Sequence, residues 1–416
     1  MVFRKYRPVK QWGKMDTRIF KQILNARNQR PMTRFFLPDA IKELGVTVHD
    51  PNAKGFFESE SVQAAQSAHQ QQQNKPIKDH PLFNKVASLL FDGSDPMSDG
   101  MAQACVISKA ILRTSFPEHI LKNALVDFDE DKVRDSILHG ERYDPTLEKL
   151  PRRFDPVLFW VTHPRVHGTP VVKRGNIILN NLYRHILLAA AQSGAVSMEQ
   201  FRLDRDEPLS ACLSAPPLFQ DRPLVVRGQP HLTAQTTLER KTATWATKEE
   251  VEELKSALLE SVYPISPIID LGSDHIYNRD SILARSLYAS SLRVHAILWA
   301  REQNQKYPWT TEQNAANAIL YTFGAAVAEA MKLGKDRDLS SSPVVTRGVQ
   351  LVDGRLDLVA FQLNTLDLSD ENPIKNVVWV ERGCRLYKPK PFYEQMTSVE
   401  ELNMTAFAKL SALILS

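Results

Sequence analysis

Hydrophobic and polar residues alternate along this chain with two different periods, and each period predicts one type of secondary structure. Apolar residues recur at every third or fourth position in 101–114 and in 311–333, which is the spacing of an amphipathic helix. Residues 176–192 predict a long apolar helix that Gly194 ends. The folded body, which we expect to begin near Asp79, therefore opens with helices.

Strand patterns are concentrated in the C-terminal half of the chain. Residues 344–352 and 356–363 are apolar segments on either side of Asp353-Gly354, a pair typical of a type I′ turn, so they predict a β-hairpin. The second strand of this hairpin has apolar residues on both faces, which predicts a sheet that is covered on both sides. Further strands are expected at 209–213, 223–227 and 377–380.

Two capping boxes mark the starts of further helices. Thr247 with Glu250 predicts a helix that continues to about Val262, and Ser398 with Glu401 predicts a C-terminal helix. Together with the strand patterns, these helices predict an α+β fold in which helices pack on a mainly antiparallel sheet.

Charge and composition divide the chain into four parts. Residues 1–34 form an extended basic leader with ten basic residues and one acidic residue, which gives it a net charge of +9. Because the whole chain has a net charge of +4, the remaining residues carry −5. Residues 35–78 are rich in glutamine and are expected to be an extended linker. The body then divides into a mainly helical region, 79–200, and an α+β region, 201–416.

The leader has three interpretations. A start that is rich in arginine and poor in acids is typical of a mitochondrial transit peptide. The same composition suits a basic arm that neutralises the phosphates of RNA, or a solvated basic tail. No segment of the chain is long and apolar enough to predict a membrane span.

The sequence offers few groups for catalysis. The cysteines Cys105, Cys212 and Cys384 lie far apart, which excludes a disulfide framework and a zinc site built on thiolate pairs. The chain has no phosphate-binding loop, dinucleotide-binding glycine motif, nucleophile elbow or His-Glu-x-x-His motif. We therefore expect no catalytic residue, no cofactor and no bound metal.

Two clusters of potential metal ligands have a second interpretation. His163 and His167 have the spacing of a helical metal site, but Pro164 disfavours a helix, which favours a basic loop that faces RNA or solvent. The acidic residues within 127–131 are a type of cluster that binds magnesium. They also lie just before a predicted helix, where acidic side chains are favourable, and this structural interpretation is the stronger one.

Basic side chains in three places are the candidate RNA contacts, because phosphate groups dominate the affinity of proteins for nucleic acids. They belong to the leader, to the segment from Arg152 to Arg174, which includes a Pro-rich loop that we expect at the surface, and to a Pro-rich C-terminal extension. The candidates are Arg4, Lys5, Arg7, Lys10, Arg152, Arg153, Arg165, Lys173, Arg174, Lys388 and Lys390.

Several stretches of the body, taken together and in order, resemble one known family. The stretches are Tyr263-Pro-Ile-Ser-Pro-Ile-Ile-Asp270-Leu271 with Ile276-Tyr277, Phe323-Gly-Ala-Ala-Val-Ala-Glu-Ala330, Phe361-Gln-Leu-Asn-Thr-Leu-Asp367-Leu368 and Ile374-Lys-Asn-Val-Val-Trp379-Val380. As a set they are similar to the animal family of mitochondrial large-subunit ribosomal protein number thirty-seven. The resemblance extends over residues 79–390 and is strongest in the C-terminal half.

The resemblance implies a structural component of the mitochondrial ribosome in the matrix, without enzymatic activity. It also implies contacts with large-subunit ribosomal RNA and with neighbouring proteins, among them a structural relative once called programmed cell death protein nine. Two alternatives stay open: a soluble mitochondrial metal-dependent enzyme, and an RNA or protein adaptor outside the ribosome. The body's charge of −5 indicates that much of its contact is with protein.

Overall fold

The computed structural model describes most of residues 88–416, with gaps at 143, 156, 195, 198–199, 215–222, 238–244, 260–268, 272–291, 305, 333–338 and 340–341. The chain divides into two units, residues 1–75 and 76–416. In the first unit the structure describes positions 22, 39 and 43, which are helical and exposed. The boundary that we predict between leader and linker lies outside the described residues.

The described elements all belong to the second unit. In chain order they are β1 Ser88–Phe91, α1 Gly100–Ile107, β2 Ala110–Arg113, α2 Glu118–Leu121, α3 Glu130–Gly140, β3 Glu148–Lys149, β4 His167–Gly168, α4 Val171–Gln192, β5 Phe201–Arg205, β6 Leu209–Ser214, β7 Pro223–Gly228, β8 Leu232–Thr237, α5 Lys248–Glu253, β9 Ile269–Leu271, β10 Leu292–Arg301, α6 Thr311–Lys332, β11 Val344–Val352, β12 Arg355–Leu363, β13 Asn376–Arg385 and α7 Met404–Leu415.

Two mixed sheets organise these strands. The larger sheet has the order β2-β13-β12-β11-β10-β8-β5, with parallel pairing at β13–β2 and β10–β11 and antiparallel pairing elsewhere. The smaller sheet has the order β6-β7-β1-β9, in which only the β7–β1 pair is parallel. The prediction of an α+β fold with a mainly antiparallel sheet is confirmed.

The larger sheet is covered by helices on both faces, as the apolar pattern of its strands predicts. Along β12, Val359 and Phe361 belong to one hydrophobic core, and Leu358 and Ala360 belong to a second. Because successive side chains of a strand point to opposite faces, the two cores lie on opposite sides of the sheet. Helices α1 and α6 contribute to the first core, and α3, α4 and α7 contribute to the second.

Helix α6 lies between the two sheets and is buried almost all round. It contacts β11 and β12 of the larger sheet and β6 and β7 of the smaller one. Small side chains permit this close approach: a Cβ added at Gly324 would lie 2.5 Å from a side-chain carbon of Val226 in β7. Apolar and alanine-rich all round, α6 is an interior helix rather than a surface helix.

The predicted hairpin is confirmed. Strands β11 and β12 pair antiparallel through Val352 and Arg355, and the two turn residues between them both have positive φ, 49° at Asp353 and 68° at Gly354. Positive φ at both central positions defines a type I′ turn.

Two helix predictions are wrong in detail. The helix predicted at 101–114 ends at Ile107, and Ala110–Arg113 is strand β2. The chain turns at Lys109, which has φ 49° and whose buried Nζ donates to the carbonyl oxygens of Ser369 and Asn372, 2.6 Å from the latter. These hydrogen bonds join residues that are far apart in the sequence, so the local helical periodicity could not predict that the helix ends here.

The capping box predicted at Ser398 is also wrong. The N-cap of α7 is Asn403, whose side chain accepts hydrogen bonds from the backbone N–H groups of Thr405 and Ala406. Glu401 instead has φ 54°, outside helical conformation. The capping box of Thr247 and Glu250 is confirmed, but its helix ends at Glu253 and continues only as a short 3₁₀ turn.

Candidate nucleic-acid interface

The Pro-rich segment that follows β3 is a closed surface loop, as predicted. Its ends are held together by β3 and β4, where Glu148 pairs with Gly168, and by a hydrogen bond from Leu150 N–H to the carbonyl oxygen of Val166 (2.8 Å). The described residues between these ends, here called the projecting loop, are mostly exposed and form neither helix nor strand. These backbone contacts hold the two ends of the loop at a fixed position on the surface.

Three of the predicted RNA-contact residues lie in this loop and are exposed. Arg152, Arg153 and Arg165 form no ion pair within the part of the chain that the structure describes. The guanidinium carbon of Arg153 lies 4.9 Å from the ring centroid of Tyr393, so this side chain also contacts the C-terminal extension. The three guanidinium groups remain accessible to a phosphate.

Lys173 lies at the first turn of α4 and is exposed, but its charge is partly balanced. Its Nζ forms an ion pair with Glu148 of β3, and both side chains are more than half exposed. An exposed pair of this kind is weak, so a phosphate can compete for the lysine.

Arg174, the next residue, has a structural role, and its prediction as an RNA contact is wrong. Its side chain is 3% exposed and is held by three groups: Nη1 lies 3.2 Å from Glu141 Oε2, Nε donates to the carbonyl oxygen of Thr169, and Nη2 donates to that of Phe392. Tyr387 donates its hydroxyl to the other oxygen of Glu141 at 2.5 Å. Burial, together with Glu141, raises the pKa of Tyr387 well above its usual value and keeps it a neutral donor.

The C-terminal extension presents its two predicted lysines differently. Lys388 is exposed, with Nζ 3.7 Å from Glu401. Lys390 is half-buried and lines a cavity of about 460 Å³ that also contains the carboxylates of Glu302 and Asp353. Lys388 therefore resembles Lys173 in its availability, whereas Lys390 faces acidic groups. The leader candidates Arg4, Lys5, Arg7 and Lys10 lie outside the described residues.

The structural interpretation of the acidic run is confirmed. Asp129 is the N-cap of α3 and accepts a hydrogen bond from the backbone N–H of Asp131. His163 lies in the projecting loop and His167 in strand β4, so neither histidine is on a helix. Among the described residues, no group of three or more histidine, cysteine or acidic side chains is arranged to hold a metal ion.

Sequence reasoning missed the apolar tip of the same loop. Five consecutive side chains, Val157 to Val161, are each at least 40% exposed, and Phe159 and Trp160 pack edge to face on one another rather than on the body. Contiguous exposed apolar residues of this size mark interaction sites in soluble proteins. The signal was present in the sequence as an apolar run within a Pro-rich loop.

Comparison with known proteins finds several relatives of one name, although no protein-family model matches the chain. The chain is 27% identical to "Large ribosomal subunit protein mL37" of Bos taurus, over 80% of the chain and 74% of that protein. It is 24% identical to the protein of the same name in Rattus norvegicus, over 95% of the chain and 89% of that protein. For Gallus gallus the identity is 26%, over 81% of the chain and 76% of the relative.

The chain is similar to mL37 proteins over 80–95% of its length. The resemblance stated from the sequence motifs is thereby confirmed. Proteins of the mL37 family are named as ribosomal proteins of the large subunit, a structural class, and the chain is not an enzyme. No helix in the described parts of the chain is both long and apolar enough to cross a membrane.

Proposed function

We propose that this chain is a member of the mL37 family and a structural component of the large subunit of the mitochondrial ribosome, in the mitochondrial matrix. In this role it supports mitochondrial translation by holding ribosomal RNA and neighbouring proteins in place. The observation that carries the proposal is similarity to proteins of that name over 80–95% of the chain.

The projecting loop supports contact with RNA. Arg152, Arg153 and Arg165 are exposed cations that form no ion pair with a described carboxylate, although Asp155 lies close enough to interact with Arg153 electrostatically. A guanidinium donates two parallel hydrogen bonds to a phosphate. Lys173 and Lys388 are weaker candidates, because each already has a carboxylate partner. We propose that the loop positions the protein on the RNA backbone without reading sequence.

The apolar tip of the loop supports contact with a neighbouring protein. Phe159 and Trp160 are 69% and 66% exposed, and covering two such rings removes roughly 200–300 Å² of apolar surface from water. We propose that neighbouring large-subunit proteins, including the structural relative implied by the family resemblance, cover surfaces of this kind. Such contacts also suit the body's slightly acidic charge.

We propose that the basic leader directs import into mitochondria. Its ten basic residues and single acidic residue are the supporting observation. N-terminal sequencing of the protein isolated from mitochondria tests this role: a new N-terminus downstream of the first basic cluster is expected, whereas an intact leader would favour the RNA-binding arm.

A density gradient of detergent-lysed mitochondria tests the main proposal. The tagged protein should co-migrate with the large subunit and the intact ribosome, and RNase treatment should abolish this migration. Migration as a light species that RNase does not affect would refute the proposal and favour an adaptor outside the ribosome.

The same gradient tests the loop when its charges are reversed. We expect the triple variant Arg152→Glu, Arg153→Glu, Arg165→Glu to be depleted from the large-subunit fractions by several-fold. A matched control reverses three exposed arginines elsewhere on the body: Arg113→Glu, Arg184→Glu and Arg205→Glu. Equal incorporation of the two variants would remove the loop from the interface.

A further inference from the structure

A second cleft lies at the carboxyl end of β10. Strands β10 and β11 are parallel and α6 connects them, and in such units ligands bind beyond the carboxyl ends of the strands. The cleft has a volume of about 370 Å³, within the range of small-ligand sites. Its polar lining includes Asn176, Asp206, Gln229, His231, Arg301 and Asn317.

The cleft contains a desolvated cation without an acidic partner. Arg301, the last residue of β10, stacks on Trp309, with its guanidinium carbon 3.0 Å from the ring centroid, and Nη1 donates to Asn314 Oδ1 at 3.0 Å. No carboxylate forms an ion pair with it in the described part of the chain, and burial lowers its pKa to about 10. Arg301 is half-buried, and the described residues do not supply the anion that commonly accompanies such a cation.

The α6 side of the cleft holds a buried acceptor without a donor. Asn317 is 2% exposed, and its amide nitrogen donates to Gln350 Oε1 at 2.6 Å. Its Oδ1 has no hydrogen-bond partner among the described residues, although buried polar atoms are nearly always paired. Nearby, Asn176 uses its Oδ1 to accept from Ala300 N–H, which leaves the amide nitrogen of Asn176 to donate into the cleft.

The rest of the lining suits a flat, polar ligand. Trp299 and Tyr321 stack on each other with ring centroids 5.0 Å apart and form an aromatic wall. The one carboxylate there, Asp206, is already hydrogen-bonded to His231 Nδ1 at 3.0 Å. Arg301 also borders the 460 Å³ cavity, but the carboxylates on that side disfavour an anion there.

We propose that this cleft binds one unpaired nucleotide of an RNA strand, with its phosphate on Arg301 and an N–H group of its base donating to Asn317 Oδ1. The amide nitrogen of Asn176 is then placed to donate to a base or ribose oxygen. Single-stranded RNA is recognised in this way, by splayed bases that meet aromatic, amide and guanidinium groups. The inference rests on the proposed ribosomal function, because that function supplies the RNA.

Binding of a fluorescent, mixed-sequence 12-nucleotide RNA to the purified full chain tests the proposal. Arg301→Gln should raise Kd about tenfold and lower the salt slope by about 0.7, the loss of one phosphate contact. Arg293→Gln, which removes an exposed arginine from the same strand outside the cleft, should change Kd less than about twofold. Equal effects of the two variants would overturn the proposal.

A second variant separates binding from folding. Val172 lines the cleft and is 37% exposed, so Val172→Trp should fill the cleft without removing a charge or a core side chain, and it should weaken RNA binding as Arg301→Gln does. Cross-links from 4-thiouridine in the same RNA should map to 292–301 or 311–332. Cross-links confined to 150–168 would overturn the proposal.

Two further results separate the possible failures. Free nucleoside monophosphates should bind more weakly than the oligonucleotide, and equally tight binding would overturn the assignment to an RNA strand. If the protein co-migrates with the large subunit but the cleft variants bind RNA as the wild type does, only the cleft proposal fails. Loss of co-migration in the wild type would refute the proposed function itself.

Discussion

The neighbouring residues Lys173 and Arg174 provide a direct test of how burial changes the contribution of an ion pair to the free energy of unfolding. Arg174→Met removes the partner of the buried Glu141 carboxylate and three hydrogen bonds, two of them to backbone carbonyls. Removing one member of a buried ion pair costs about 3–5 kcal/mol of unfolding free energy. Lys173→Met breaks an ion pair whose members are both more than half exposed, which costs about 0–1 kcal/mol.

Urea unfolding of the two variants, followed by tryptophan fluorescence, measures the difference. We expect the midpoint of Arg174→Met to fall well below that of Lys173→Met at an unchanged slope. The double variant Arg174→Met, Glu141→Gln should be more stable than the sum of the single effects predicts, because it no longer buries an unpaired carboxylate. A loss of less than about 1 kcal/mol for Arg174→Met would refute this account.

Three other predictions concern the hairpin, a buried acid and the loop tip. Gly354→Ala should lower the free energy of unfolding by about 1–3 kcal/mol in thermal unfolding, because φ is positive there and the new Cβ would clash with the carbonyl oxygen of Tyr387. Gly194→Ala is the matched control: φ is also positive there, but the new Cβ would meet no atom, so the loss should be smaller. Burial raises the pKa of Asp357 from 3.8 to about 6, so the folded protein keeps this carboxyl group protonated at pH values where the unfolded chain releases the proton. The free energy of unfolding should therefore fall by about 3 kcal/mol as pH rises from 4 to 6. Asp357→Asn should remove that slope from a plot of melting temperature against pH, and an unchanged slope would contradict it. The double variant Phe159→Ser, Trp160→Ser should keep the melting temperature of the purified chain but reduce its share in large-subunit fractions; equal incorporation would show that the tip is not covered there.

Local patterns predicted the elements that local chemistry determines. The β11–β12 hairpin follows from its Asp-Gly turn, and α6 follows from its apolar period. Strand β10 was missed, although it is central to the larger sheet. Its apolar run does not reveal whether it forms helix or strand until its neighbours β8 and β11 are known.

The candidate site shows the same division between local and distant information. Proline spacing predicted the surface loop, but nothing near Arg174 in the sequence reveals that Glu141 and Phe392 enclose it. Arg301 was missed for a related reason. Its stacking on Trp309 is local, whereas its lack of an acidic partner is a property of the whole cleft.

The interior position of α6 sets a constraint on synthesis. The strands of the smaller sheet all precede α6 in the chain, whereas β11, β12 and β13 of the larger sheet follow it. Between the emergence of Val226 and that of Lys332, a ribosome working at about 5–20 residues per second takes roughly 5–20 s. For that period the apolar residues of β7 that are buried in the folded protein lack the helix that covers them, so we expect the nascent chain to expose this surface during synthesis.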